Sequence, residues 1–204
     1  STETDRDAGD SANDAVRVDA RDLRFRVVGE GGNLGFTQAA RVEYARNGGR
    51  INSDAVDNSG GVDMSDHEVN LKILFAQLAR TAGVTRQDRD ETLLRMAEEV
   101  SAAVEANNHD HSLMISLDVA RSADSLDDFR VLINDLELAG RLDRARHRLP
   151  DDGEMLRRQK AGEGLLRPEL VRIGPFVKMQ VYEGLLADPR FFSPYVERWL
   201  FSYF

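Results

Sequence analysis

The residues Gly29-Glu30-Gly31-Gly32-Asn33-Leu34-Gly35 have the types and spacing to do chemistry. They follow Leu23–Val28, where apolar and basic side chains alternate, and precede Thr37–Asn47, which has a helical pattern. Glycines between a strand and a helix let backbone N–H groups close on a phosphate at the helix N-terminus. The spacing Gly29-x-Gly31-x-x-x-Gly35 departs from the dinucleotide fingerprint, whose third glycine would fall at Leu34. Asp54 lies at a fitting distance downstream to meet a ribose, in a chain with many aspartates. Two readings stand: a phosphate cradle, and a tight strand-to-helix turn with no ligand.

Other reactive types are sparse. The four histidines are His67, His109, His111 and His147. His109-Asp110-His111 has a metal-like look, yet side chains two apart on a helix point different ways, and no third ligand follows at suitable spacing. No metal site is expected. His67 beside Asp66 reads as helix-start chemistry. No serine sits in a Gly-x-Ser-x-Gly setting. Asp127-Asp128 and Asp151-Asp152 fall at helix starts, where negative charge is favourable. Lysine is limited to Lys72, Lys160 and Lys178 among 27 basic residues. Chemistry that needs a cation of tunable pKa has few candidates, because arginine keeps its proton.

Composition narrows the class. The chain has 204 residues, a net charge of −9 and no cysteine. Disulfide scaffolds, cysteine-ligated metals and cysteine nucleophiles are excluded. The acidic balance argues against nonspecific nucleic-acid binding. No apolar run approaches the ~18 residues of a spanning helix, and no signal peptide opens the chain. These features predict a soluble, cytoplasmic protein.

The elements that must position these residues are legible in outline. Residues 1–22 hold four of the nine excess negative charges and no apolar periodicity, which predicts a solvated acidic arm. Leu23–Val28 predicts a short strand, and Thr37–Asn47 a helix with Val42 and Ala45 inward and Gly48-Gly49 as its stop. Arg50–Val56 reads as extended, and Asn58-Ser59-Gly60-Gly61 as a turn open to positive φ. Ser65-Asp66-His67-Glu68 has the pattern of a capping box. The helix it would open carries Leu71, Leu74, Phe75 and Leu78 on one stripe, with Gly83 after it. Thr85 can cap the next helix, with Leu93, Ala97, Val100 and Val104 on one face. Ser125 can cap a third, with Leu126, Phe129, Leu132, Ile133 and Leu136 inward and Gly140 at its end. Pro168 suits the first turn of a further helix that Pro175 would interrupt. Pro194 starts the last one, in a tail from Phe176 to Phe204 that holds nine of the 14 aromatic residues. The fold class is mainly α: a small α/β piece at 23–64, then a helical region at 65–204.

Two blocks carry a family resemblance. One is Gly29-Glu30-Gly31-Gly32-Asn33-Leu34-Gly35-Phe36-Thr37-Gln38. The other runs from Gly48-Gly49-Arg50-Ile51-Asn52-Ser53-Asp54 through Asn58-Ser59-Gly60-Gly61-Val62-Asp63-Met64-Ser65 to Phe75. Together they resemble the large, bacterial-type NAD-specific glutamate dehydrogenases. Gly164-Leu165-Leu166-Arg167-Pro168-Glu169-Leu170 is similar to a landmark in that family's C-terminal helical part. The likeness runs from about residue 12 to the end and is strongest over 26–75. It implies that the glycine cluster is a late turn of the dinucleotide-binding domain, distinct from the early fingerprint, which accounts for the failed spacing. It also implies that residues 23–64 are the closing edge of that domain. On the cofactor side it implies NAD contact at Asn33, with Gly31 and Gly32 allowing close approach. On the substrate side it implies that Val62 lines the amino-acid pocket and Ser65 holds the α-carboxylate, with Asn58 and Gly61 as walls.

The resemblance further implies an enzyme that oxidatively deaminates L-glutamate to 2-oxoglutarate and ammonium with NAD, and that works as a homo-oligomer. Its catalytic lysines precede the late turn by a long distance, whereas 28 residues precede Gly29 here and none is lysine. The chain is therefore expected to be an inactive fragment with no catalytic residue of its own, covered in the parent by the remaining segments. The competing reading is a helical interaction or regulatory module without catalysis, suggested by the aromatic tail.

Overall fold

The computed structural model describes residues 3–32 and 35–203, without the side chains of 197 and 200–203. The acidic segment begins with a one-turn helix α1 (Asp5–Ala8), closed by Thr4 and Asp7 in a reciprocal cap. Two 3-10 turns follow at Ser11–Val16 and Ala20–Asp22. Arg17 draws this acidic stretch together, pairing with Asp5 at 3.0 Å and Asp14 at 3.1 Å. Ala20 is buried against Tyr44 and Ile51.

Where the sequence predicts a strand, the described residues contain only one bridge, the parallel pair Val27–Arg50. Val28 N–H donates to the Arg50 carbonyl and Arg50 N–H to that of Arg26, both at 2.9 Å. Two extended segments with no third partner gain too few ladder bonds to continue. Between them lies α2 (Gln38–Arg46), capped by the Thr37 hydroxyl. Its buried face is Arg41 and Tyr44, with Val42 and Ala45 only half-buried, so the inward stripe is rotated from the expected one. The extended reading also stops early: α3 (Asp54–Asp57) is helical.

A second correction concerns the next helix. The Asn58–Gly61 turn and the Ser65 capping box do not form, because α4 already runs from Ser59 to Thr81. Neither Gly60 nor Gly61 has positive φ. These glycines serve close approach instead. A Cβ on Gly60 would lie 3.1 Å from the Asn108 amide nitrogen, and one on Gly61 would lie 2.7 Å from Asn58 Oδ1. His67 is thus a buried mid-helix residue and not part of a first turn.

Helix α5 (Arg86–Asp124) opens with the expected Thr85 cap, made reciprocal by Asp88, and continues for 39 residues, about 58 Å at 1.5 Å per residue. Its N-terminal half pairs with α4 as a projecting hairpin. Its C-terminal half lies against α6 (Leu126–Leu138) and α8 (Arg167–Ala187), with α7 (Asp152–Ala161) packed on α6, around the main core. Leu126, Phe129, Ile133 and Leu136 of α6 are all buried there, as their spacing predicts. Pro175 does not interrupt α8. The preceding Gly174 has no Cβ to clash with the proline ring, and burial of Leu170, Val171 and Ile173 holds the helix through the lost hydrogen bond. Helix α9 (Pro194–Tyr203) ends the chain's described part, with Trp199 61% exposed. Among the described residues, no helix is long and apolar enough to cross a membrane.

Candidate functional site

The glycine turn is held by its one charged residue. Glu30 is 5% exposed and Arg41 1% exposed. The Arg41 Nε donates to Glu30 Oε2 and its Nη2 to Oε1, each at 2.7 Å. Glu30 Oε1 also accepts the Phe36 N–H at 3.2 Å, which closes the turn from its far side. Arg41 reaches Asp54 as well, at 3.2 Å. Asp54, the sequence candidate for a ribose contact, is therefore engaged with the arginine of this clamp.

Gly31 and Gly32 follow on the exposed rim of the turn. Neither has positive φ, and among the described residues a Cβ on either would meet nothing within 4 Å. Neither backbone conformation nor internal packing thus demands glycine at these positions. Asn33 lies outside the described residues.

The substrate-side candidates share one helix face. Asn58 is the N-cap of α4, and Gly61, Val62 and Ser65 follow at helical spacings of three, four and seven. Gly61, Val62 and Ser65 are exposed, Val62 by 59%. Val62 lies outside the core, and an N-cap role for Ser65 does not survive this placement. Behind the face, α4 meets α5 through polar contacts: Ser59 to Asn108 at 3.2 Å and Asn107 to Asp63 at 2.9 Å. His67 Nε2 stands 3.7 Å from Asp63. Further along the hairpin, a groove of about 650 Å³ runs from Met64 and His67 past Leu71 and Phe75 to Leu93 and Met96.

The two sides meet at Asp57. Its Oδ2 accepts the Glu30 backbone N–H at 2.7 Å, and it directly precedes Asn58 in the chain. The structure thus joins the glycine turn to the start of α4. Sequence reasoning passed over this network of Glu30, Arg41, Asp54 and Asp57, because hydrophobic periodicity scores an arginine as outward. The available signal was Glu30 itself, a lone carboxylate inside a glycine run. Among the described residues, no group of three or more His, Asp or Glu side chains is placed to hold a metal ion.

The family model described as "Bacterial NAD-glutamate dehydrogenase, catalytic domain" matches residues 1–118, ending inside α5. The chain belongs to that family. It is 46% identical over 188 residues to the NAD-specific glutamate dehydrogenase of Pseudomonas aeruginosa. It is 42% identical over 188 residues to that of Halomonas elongata and 44% identical over 186 residues to that of Mycobacterium tuberculosis. These alignments cover 91–92% of this chain and 12% of each relative. The chain therefore spans about an eighth of the length of the curated relatives it matches.

Proposed function

We propose that the whole protein carrying this chain interconverts L-glutamate with 2-oxoglutarate and ammonium, using NAD. The observation that carries this reading is the family match over residues 1–118, which takes in both motif blocks. The relatives' printed activity supports it. NAD supplies the redox chemistry by accepting the hydride of the glutamate α-carbon. In this chain Gly31 and Gly32 keep the turn open to the cofactor, and Asn33 contacts its nicotinamide-ribose side. Val62 packs on the substrate side chain, Ser65 holds the α-carboxylate, and Asn58 and Gly61 complete the wall. The common helix face of Asn58, Gly61, Val62 and Ser65, exposed at the last three, supports that division of labour.

Oxidative deamination also needs a lysine of lowered pKa to activate water and a group to move protons. Lys72, Lys160 and Lys178 sit on α4, α7 and α8, outside both motif blocks except for Lys72 near the end of the second. We assign the catalytic lysines to other segments, and the 204-residue chain alone is expected to be inactive. Glutamate-dependent NADH formation by the whole protein, absent from the isolated chain, is the expected result. Turnover by the isolated chain would overturn the assignment. A helical interaction role for the C-terminal region is favoured by one observation, the exposure of Trp199 on α9.

A further inference from the structure

We propose that Asp57 is a positioning residue: its carboxylate fixes the glycine turn relative to the substrate-side face of α4, and Arg167 keeps that carboxylate aimed. The inference rests on the proposed function above.

Each oxygen of Asp57 has a different task. Oδ2 accepts the Glu30 N–H, and Oδ1 accepts the Asn52 side-chain amide, both at 2.7 Å. The Asn52 carbonyl oxygen in turn accepts from Arg167 Nε. Arg167 enters at the start of α8 and spends its remaining donors on α5. Its Nη1 donates to Ser116 Oγ at 2.7 Å, and its Nη2 to the Ser112 carbonyl at 3.0 Å and to Ser112 Oγ at 2.9 Å. The chain of donors and acceptors is directional. Arg167 orients the Asn52 amide, the Asn52 NH₂ then faces Asp57, and Asp57 is left with an oxygen for the turn.

This arrangement differs from the Glu30–Arg41 clamp. The clamp holds the side chain of the turn, whereas Asp57 holds its backbone one residue before Gly31. Because Asn58 follows Asp57 directly, one carboxylate sets the spacing between the cofactor side and the substrate side. Asp57 stands between the C-terminus of α3 and the N-terminus of α4, and its two oxygens accept from Glu30 and Asn52. Arg167 belongs to the Gly164–Leu170 landmark, which sits 115 residues from Asn52 in the chain. The strut therefore ties the helical C-terminal region to the turn.

The test is initial-rate kinetics on the whole protein, with Asp57→Asn and Arg167→Lys. An asparagine at 57 offers one acceptor to two donors, so one of the two contacts becomes donor against donor. Asp57→Asn is expected to raise KM for both NAD and glutamate by about tenfold, the scale of one lost hydrogen bond to a charged group. Arg167→Lys, which keeps the charge but loses the fork, moves both constants the same way. The double variant falls short of the product of the single effects, because both act through Asn52. Arg144→Lys, whose guanidinium pairs with Glu137 and Asp152 in the α6–α7 connection, is the control: it lowers thermal stability and leaves both KM values in place. If Asp57→Asn does not accumulate in folded form, Arg167→Lys carries the same expectation. Both KM values unchanged in Arg167→Lys, with only the melting temperature lowered, would make the strut merely structural and overturn the proposal. A parent protein without glutamate-dependent NADH formation would instead sink the proposed function, and this inference with it.

Discussion

Removing the Glu30 carboxylate should unfold more than a loop. Arg41 is 1% exposed, and Glu30→Ala takes away both of its 2.7 Å hydrogen bonds. Asp54, at 3.2 Å, is the carboxylate left beside it. Breaking one side of a buried, bidentate ion pair costs about 3–5 kcal/mol, because a charge is stranded out of water. At about 2–4 °C per kcal/mol for a domain of this size, the melting temperature should fall by about 6–20 °C. Thermal unfolding of the 204-residue chain, followed by circular dichroism at 222 nm, measures it. The double variant Glu30→Met with Arg41→Met removes both charges and keeps the volume, so it should lose far less than the single change. A Glu30→Ala protein within about 1 kcal/mol of the parent, or a double variant as unstable as the single, would refute the reasoning: the pair would then be no more than a solvated contact.

Other substitutions probe separate claims. Ser65 is exposed within α4, so Ser65→Ala should leave stability level or raise it by a few tenths of a kcal/mol, through alanine's better helix propensity. A loss of about 1 kcal/mol would restore the N-cap role, and a raised glutamate KM in the whole protein would support the carboxylate grip. The Arg157 guanidinium, helped by Arg158 and opposed by partial burial, holds Glu154 down at about 2 against an ordinary 4.5. A lowered carboxylate stabilises above its ordinary value and loses that contribution as pH falls from 4.5 through about 2. The stability gap between the parent and Arg157→Ala should therefore narrow across that window, and urea midpoints at stepped pH would show a constant gap if the coupling were absent. Gly164→Ala puts a Cβ 2.4 Å from Ser122 Oγ and 2.8 Å from the Ala123 nitrogen. It should cost about 1–3 kcal/mol by overpacking, and an unchanged urea midpoint would show that α5 and the α7–α8 connection can separate freely.

Local signals with strong periodicity or capping chemistry were readable in the sequence. The Thr85 cap, the α6 core stripe, Gly140 at its end and Pro168 in the first turn of α8 all follow from rules that act within one turn. Failures arose where distant residues set the outcome. Gly60 and Gly61 look like a turn in isolation, but they lie inside α4, where a Cβ on Gly60 would crowd Asn108 on α5. Arg41 looks solvent-facing until Glu30 and Asp54 are brought beside it. Leu23–Val28 has strand periodicity without neighbours to complete a sheet. The candidate site was legible as a set of motifs, through family resemblance. Its scaffold was not, because the Asp57–Asn52–Arg167 strut joins residues whose separation in sequence leaves no local pattern.

The most direct test is the pair of KM values for Asn33→Ala in the whole protein. Loss of one polar contact to the cofactor, about 1.4 kcal/mol, predicts an NAD KM raised about tenfold with the glutamate KM held within about twofold. An unchanged NAD KM would contradict the claim that this glycine turn forms the cofactor side of the site.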